Sequence, residues 1–352
     1  MKKTVAVALS GGLDSSVAAL LLKETYQRVI GLHFYTGFDV SVPEAPNGGR
    51  PPAPVRAIAE QIGIQCVAVD CTGAFRREVV DYFVDGYARG KTPSPCVVCN
   101  QRIKFDILLE EARARGASAL ATGHYARTRH GAGGRWLLIK GVDPDKDQSY
   151  FLSRLTQAHL RQAMFPLGGH TKAEVQALAH RAGLVTSRSR ESQELCFVDT
   201  DSYTAFLSRY AGLRPSPGPV VSPAGEVLGE HQGLHGYTIG QRRGIGIPGP
   251  APYYVTAVDV KTNTLVVGPK SALLSRRCRV HNINWIGIPP PKGPVWVRTR
   301  LRYRHSEAPS VLFPATEDSV DVVFVRPQTA VTPGQAAVFY QGENVVGGGW
   351  IA

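Results

Sequence analysis

"VALSGGLDSSVAALLLKE", residues 7–24, changes its vocabulary twice. Thr4 to Leu9 is an apolar run short enough for one buried strand, whereas Asp14 to Lys23 carries Val17, Leu20, Leu21 and Leu22 in helical register. The join between them is the turn Ser10-Gly11-Gly12-Leu13-Asp14-Ser15. Glycines let the backbone come close to a ligand, the first N–H groups of a helix have no partner within it, and serine hydroxyls add donors, so the turn suits phosphate. No Gly-Lys-Ser/Thr follows, which excludes a Walker A loop, and the glycine spacing is not G-x-G-x-x-G. A capping Asp or Ser alone explains a looser turn of this kind. It does not explain so many fixed positions at the first strand–helix junction.

Working outward, strands are expected at Arg28–Phe34, Gln65–Asp70 and Ala119–Gly123. Helices are expected at Pro54–Gly63, Arg76–Gly90, Phe105–Gly116, Gln157–Met164, Lys172–Ala182 and Ser202–Tyr210. Such alternation predicts an α/β fold with a parallel sheet covered by helices on both faces and ligands at the carboxyl ends of its strands. Phe38 to Pro54, rich in Pro and Gly without apolar period, reads as an exposed, mobile loop. From Pro215 onward, Pro and Gly recur among short β-rich stretches at Tyr253–Val260, Val295–Tyr303, Ser319–Phe324 and Ala336–Tyr340, as in small barrels or sandwiches. The expected division is therefore 1–210 catalytic, 211–277 a central small β-rich domain and 278–352 a C-terminal β-barrel.

Composition narrows the function classes. Of 352 residues, 43% are hydrophobic and 19% charged, and no long apolar run offers a membrane span. The apolar stretch near the N-terminus runs into glycines without a small-residue cleavage site, so the expected location is the cytoplasm. A net charge of +12, from 40 Lys and Arg against 28 Asp and Glu, suits a polyanionic partner.

Six cysteines are too few for a disulfide scaffold of this length. "TPSPCVVCNQRIKF", residues 92–105, places Cys96 and Cys99 in a C-x-x-C pair just ahead of a helix. There the helix dipole, Arg102 and Lys104 are expected to lower the thiol pKa. Cys196 lies far along the chain in "SQELCFVD" but in the same expected domain. Cys66 reads as a small core hydrophobe, and Cys71 and Cys278 carry no motif.

The turn at residues 10–15 resembles the pyrophosphate loop of the ATP pyrophosphatase (PP-loop) superfamily, S-G-G-x-D-S. "GKTPSPCVVCNQRIKF", "ATGHYAR" (121–127), "DKDQSYFL" (145–152), "FPLG" (165–168), "ELCFV" (194–198), "GLHGYTIGQRRGIGI" (233–247) and "RLRYRH" (300–305) follow in order. Together they resemble the bacterial tRNA-uridine 2-sulfurtransferase (2-thiouridylase) family over nearly the whole chain. That resemblance implies a PP-loop, adenine nucleotide alpha hydrolase-like domain followed by two small β-rich domains. It implies that ATP, with Mg2+, adenylates O2 of the wobble uridine of tRNA and that sulfur then displaces AMP. Cys196 would receive a persulfide from a sulfur carrier, and Cys99 would act as nucleophile, with a Cys99–Cys196 disulfide as product.

Carried over residue by residue, the resemblance implies an ATP site of Ala8, Leu9, Ser10, Gly11, Gly12, Leu13, Asp14, Ser15, Phe34 and Gly123, with Asp14 catalytic near the metal-bound phosphates. Ser94, Pro95 and Cys96 would border a target base extruded from the RNA, and His124, Lys146, Asp147, Gln148, Arg302, Tyr303 and Gln335 would touch tRNA. Two departures stand out. Many relatives carry Asp where this chain has Cys96, so Cys96, Cys99 and Cys196 make a thiolate set that permits a 4Fe-4S cluster delivering inorganic sulfide as an alternative to the persulfide. Over Thr36–Pro54 an acidic stretch is replaced, and Phe34 stands where Met is usual. Two other readings compete: a PP-loop amidating or ligating enzyme on a small metabolite, which leaves the basic charge and three cysteines unexplained, and a catalytically silent RNA-binding relative, which has no use for a nucleotide turn together with thiols.

Overall fold

The computed structural model describes residues 4–38, 49–184, 195–198, 202–212 and 216–352. Strand β1 (Thr4–Ala8) leads through the glycine turn into α1 (Leu13–Thr25) and then β2 (Arg28–Tyr35), α2 (Ala53–Ile62) and β3 (Gln65–Asp70). Val5, Val7 and Leu9 are fully buried under α1 and α2, while Ala6, Ile30 and Leu32 face the helices on the other side. Burial on both faces is why these strands read as continuous apolar runs instead of alternating ones.

After β3 the chain is helical from Thr72 to Ala88, with a π-helical middle at Arg76–Asp81. It is helical again at α3 (Pro95–Cys99), which continues as π-helix through Asn100–Leu108 and as α-helix through Leu109–Ala114. The second run starts ten residues before the position expected from periodicity, because Pro95 at its first turn pre-sets a helical φ while the Val97, Ile103 and Phe105 side chains are buried. β4 is short (Leu120–Ala121), and β5 (Ala126–His130) and β6 (Trp136–Lys140) form a hairpin.

One expectation fails here. Gln157–Met164 is helical only over Gln157–Leu160, and Ala163–Met164 is instead β7, the edge strand of the sheet. Leu120 N–H donates to Gln162 O at 2.9 Å and Thr122 N–H to Met164 O at 3.0 Å. The open edge of β4 claims this segment, and ladder bonds outweigh a marginal helical preference. The completed sheet is parallel, in the order β3-β2-β1-β4-β7. The loop read as exposed over 38–54 is also not wholly exposed. Residues 39–48 lie outside the described residues, but Phe38 packs against Phe75, Phe206 and Tyr210, and Pro51 is buried.

Beyond α4 (Lys172–Arg181) and α5 (Tyr203–Ala211), strands β8 (Gly218–Val221), β9 (Val227–His231), β10 (Tyr254–Asp259) and β11 (Thr264–Gly268) form a small sheet over a core of Val220, Ile245, Val255, Leu265 and Val267. Strands β12 (Leu274–Trp285), β13 (Val295–Arg300), β14 (Ala308–Thr316), β15 (Ser319–Thr329), β16 (Ala336–Gln341) and β17 (Asn344–Ile351) follow. β12 pairs with both β15 and β17, so these strands close into a barrel without an open edge. The β5–β6 hairpin, over residues where the sequence suggests no element, adds to this sheet through β17. Ile286, Val338, Tyr340 and Val345 of the barrel share one core with Phe83, Phe105 and Leu152 of the parallel-sheet unit. Among the described residues no helix is long and apolar enough to cross a membrane.

Candidate active site

Sheet order reverses between β1 and β4, and in an open α/β sheet the crevice at such a reversal, at the carboxyl ends of the strands, is where ligands bind. The glycine turn leaves the end of β1 there. Gly11 adopts φ +85°, a left-handed conformation that favours glycine, and Gly12 precedes α1 with no side-chain cap on the helix. Ser15 Oγ accepts from Ser10 N–H at 3.2 Å and donates to Gly12 O at 2.9 Å, which ties the turn into one shape. From β4, Gly123 presses on the same turn: a Cβ there would lie 2.9 Å from Asp14 C and 2.9 Å from Ser15 N. The loops on either side of the reversal thus touch, and glycine is what lets them. Phe34, half-buried, stands near the end of β2 with the Lys104 ammonium 6.0 Å from its ring centroid.

Asp14 is held by two groups that sequence reasoning missed. Lys172 Nζ lies 2.7 Å from Oδ1 and 2.9 Å from Oδ2, and the Tyr125 hydroxyl donates to Oδ1 at 2.8 Å. Burial first, and then the Asp14 charge, push the Tyr125 phenol up from its ordinary pKa, so it stays a donor. Tyr125 is fixed in turn by Gln148, whose Oε1 accepts from Tyr125 N–H at 3.0 Å while its own N–H donates to Tyr125 O at 2.9 Å. The Lys172 and Asp14 side chains remain 21% and 35% exposed, so the ion pair contributes on the order of 1 kcal/mol at most. A pair that weak is exchangeable. The only trace of Lys172 in the sequence is the Thr171-x-x-Glu174 capping box that starts its helix after "FPLG".

The thiols gather beside this crevice. All six cysteines are unbridged; Cys96 and Cys196 are exposed, Cys99 is half-buried and Cys71 is buried. Cys99 stands in the electrostatic field of Lys104, Cys196, Cys96 and Cys71, so the distant Cys196 has come to the C-x-x-C helix. Its neighbour Phe197 anchors it: 5% exposed, that ring packs on Phe75, Phe83 and Phe206 with centroids 5.9, 5.2 and 5.4 Å away. Losing such a ring costs roughly 3–5 kcal/mol, which keeps the exposed thiol next to it in place.

The expected lowering of the thiol pKa is reversed. Burial pushes Cys99 up to about 12, and Lys104 offsets this only in part. Cys96 is also raised, by the protein around it, although its side chain is exposed to solvent. Arg102 is turned away into ion pairs with Asp106 at 3.4 Å and Glu78 at 3.9 Å. Because the thiolate is the reactive form, alkylation of Cys99 by iodoacetamide is expected to rise about tenfold per pH unit from about pH 7 to about pH 9. A mass-spectrometric rate that is already level across that window contradicts it.

Among the described residues, which include all three thiols, no three His, Cys, Asp or Glu side chains converge closely enough to hold a metal ion. Cys96, Cys99 and Cys196 therefore do not form the three-thiolate cradle of a cluster in this arrangement.

Three units meet at the approach to the thiol helix. Thr92 N–H donates to Pro333 O at 2.9 Å, Gln335 Nε2 donates to Thr92 O at 3.0 Å and to Pro93 O at 3.3 Å, and the Thr92 and Thr238 hydroxyl oxygens are 3.4 Å apart. Ser94 and Pro95 are buried, with Ser94 N–H donating to Tyr82 Oη at 3.4 Å. Asn100 Nδ2 donates to Phe151 O at 3.2 Å, and Phe151 packs on Tyr303 at 4.4 Å between centroids. Arg302 Nη1 donates to Thr329 O at 3.4 Å, and Lys146 is half-buried. Asp147 is buried and accepts from Gly141 N–H, Ser149 N–H and Arg300.

His124 is 8% exposed, with Nδ1 2.7 Å from Thr122 Oγ1 and its ring edge-on to Phe165. Burial and then Lys104 hold its pKa well below the usual range, so it is neutral. The cavity of about 420 Å³ lined by Arg242 and residues 244–253 includes none of these side chains.

The family model described as "tRNA methyl transferase HUP domain" matches residues 3–200, "tRNA methyl transferase PRC-barrel domain" matches 204–269, and "Aminomethyltransferase beta-barrel domain" matches 275–351. The chain is 46% identical over 358 residues to the tRNA-specific 2-thiouridylase MnmA of Geobacter metallireducens, covering 99% of this chain and 97% of that one. It is also 46% identical to the like-named protein of Geotalea uraniireducens, at 99% and 95% coverage. Against that of Magnetococcus marinus the identity is 44%, at 99% and 98%.

Proposed function

Because the chain belongs to the tRNA-specific 2-thiouridylase family, we infer that it uses ATP to adenylate O2 of a tRNA uridine and then replaces that oxygen with sulfur. The products are 2-thiouridine, AMP and pyrophosphate. The observation that carries this reading is the continuity of the site. Gly123 packs on the Asp14 and Ser15 backbone, and Lys104 stands over Phe34 while its charge reaches His124, Cys96 and Cys99. These contacts support a reading in which one base meets a phosphate turn on one side and thiols on the other.

The residues of Ser10 to Ser15 bind the phosphates through helix-terminal amides and hydroxyls. Asp14 is the carboxylate suited to the Mg2+ that accompanies ATP, a cation that offsets phosphate charge. The Phe34 face is suited to adenine. O2 of the pyrimidine attacks the α-phosphorus and pyrophosphate leaves. The terminal sulfur of a Cys196 persulfide, loaded by a sulfur carrier, then adds to C2. Cys99, which rests as the thiol, gives up its proton to solvent and attacks Cys196 Sγ, the electrons of the broken S–S bond return to the sulfur on C2, and AMP departs as the thiocarbonyl forms. A Cys99–Cys196 disulfide remains, to be reduced by an external thiol. The charge of +12, to which Lys146 and Arg302 contribute, together with Gln148 and Tyr303, suits the RNA backbone. The expected setting is the cytoplasm, where tRNA and reducing thiols occur.

The test uses the full chain purified anaerobically, with ATP, Mg2+, unmodified tRNA and a persulfide-loaded carrier, and measures 2-thiouridine, AMP, iron and acid-labile sulfide. Equal yields of thiolated nucleoside and AMP from iron-free protein are expected. About four irons per chain, with activity tracking iron content and sulfide as donor, overturn the persulfide route in favour of a cluster on Cys96, Cys99 and Cys196.

A further inference from the structure

Lys172 is the residue at the nucleotide turn whose arrangement the reaction above leaves unused. It occupies the first position of α4, a helix that packs against α1, and its ammonium reaches both carboxylate oxygens of Asp14 at 2.7 and 2.9 Å. Two of the amides that begin α4 are already engaged: Lys172 N–H donates to Asp143 Oδ2 at 2.9 Å and Glu174 N–H to Thr171 Oγ1 at 3.3 Å. The group that α4 sends to Asp14 is the Lys172 side chain.

Asp14 is the second residue of α1, so an ammonium held on its carboxylate lies at the helix start, where the α1 amides have no side-chain cap. An anion on those amides would sit beside an uncompensated carboxylate unless a cation stood with it. Lysine suits an exchange of partners, since its charge is a compact point on a flexible four-carbon stem and can swing between two oxyanions without backbone movement. The half-exposed pair with Asp14 is weak enough to be traded. Tyr125, whose ring centroid lies 5.8 Å from Lys172 Nζ and whose hydroxyl also donates to Asp14, stays behind to hold the carboxylate when the ammonium leaves.

We propose that Lys172 is a phosphate-binding residue of the site, its ammonium leaving Asp14 for the phosphate oxygens of ATP and staying with them as pyrophosphate departs. This rests on the nucleotide-turn reading given above, and its ligand class is the polyphosphate chain of a nucleoside triphosphate, with inorganic pyrophosphate as the simplest probe.

A purely structural Lys172 would act only by neutralising Asp14. A double-mutant cycle separates the two roles, using the full-length protein and calorimetric binding of inorganic pyrophosphate and of Mg-ATP, so that no turnover is required. Lys172→Met is expected to weaken pyrophosphate binding about tenfold or more, the scale of one charge-assisted contact, whereas Lys172→Arg retains most of it. The deciding variant is Asp14→Asn/Lys172→Met compared with Asp14→Asn. A persisting tenfold loss shows that the ammonium meets the phosphates itself, and no loss in that background overturns the proposal while leaving the nucleotide site intact. If the unaltered chain binds neither pyrophosphate nor Mg-ATP, the nucleotide reading falls and the proposal with it.

Discussion

Replacing Cys196 by alanine is expected to abolish 2-thiouridine formation, by roughly 10³-fold or more, while tRNA and ATP binding stay near their original strength. The large factor follows from the proposed chemistry: on that route the sulfur travels on this thiol, and losing a covalent carrier removes the pathway instead of weakening a contact. The unchanged binding follows from the geometry. Cys196 is exposed, and its segment is fixed by the buried Phe197 ring among Phe75, Phe83 and Phe206, not by the thiol. Single-turnover thiolation with persulfide-loaded carrier measures the first quantity and filter binding of tRNA the second. An alanine variant that still thiolates tRNA shows that sulfur reaches C2 by another route. Phe197→Ala, which keeps the thiol but removes its anchor, is expected to lose both stability and thiolation.

Asp14→Ala is expected to lose tRNA-dependent ATP–pyrophosphate exchange by about 10²- to 10³-fold, the range for removing one preorganised electrostatic contact at a reacting phosphate. Alanine also leaves Lys172 Nζ and the Tyr125 hydroxyl without their shared acceptor. Asp14→Asn separates these losses, since its amide oxygen still accepts from Tyr125 but carries no charge. If charge is what matters, the asparagine variant is nearly as inactive as the alanine variant, and raising Mg2+ does not restore it. An asparagine variant with full exchange activity would remove Asp14 from the phosphate site.

The motifs whose order suggested the family turn out to be packing partners. A Cβ on Gly168 of "FPLG" would lie 1.7 Å from Ala126 O of "ATGHYAR", Gln148 of "DKDQSYFL" pins the Tyr125 backbone, and the His124 ring meets Phe165. In these three motifs a small or polar residue, Gly168, Gln148 or His124, meets a neighbouring motif. The hairpin at 126–140 was not readable. Its residues are fixed by β17 of a barrel that begins more than a hundred residues later, and no local pattern announces such a partner.

Local chemistry along the chain by itself determined the strand–turn–helix at residues 4–25, the parallel α/β core, the β-rich second half, and the suitability of the Ser10–Ser15 turn for phosphate, whereas the candidacy of Cys99 and Cys196 came from the family resemblance. Those features depend on apolar period, glycine and short-range donors, all of which act within a few residues. Only the tertiary structure decided that Lys172 and Tyr125 close on Asp14, that burial outweighs Lys104 and raises Cys99, and that Ala163–Met164 is a strand. Ion pairing, desolvation and edge-strand capture depend on distance in space, and the groups that supply them here stand up to 158 residues apart in the chain.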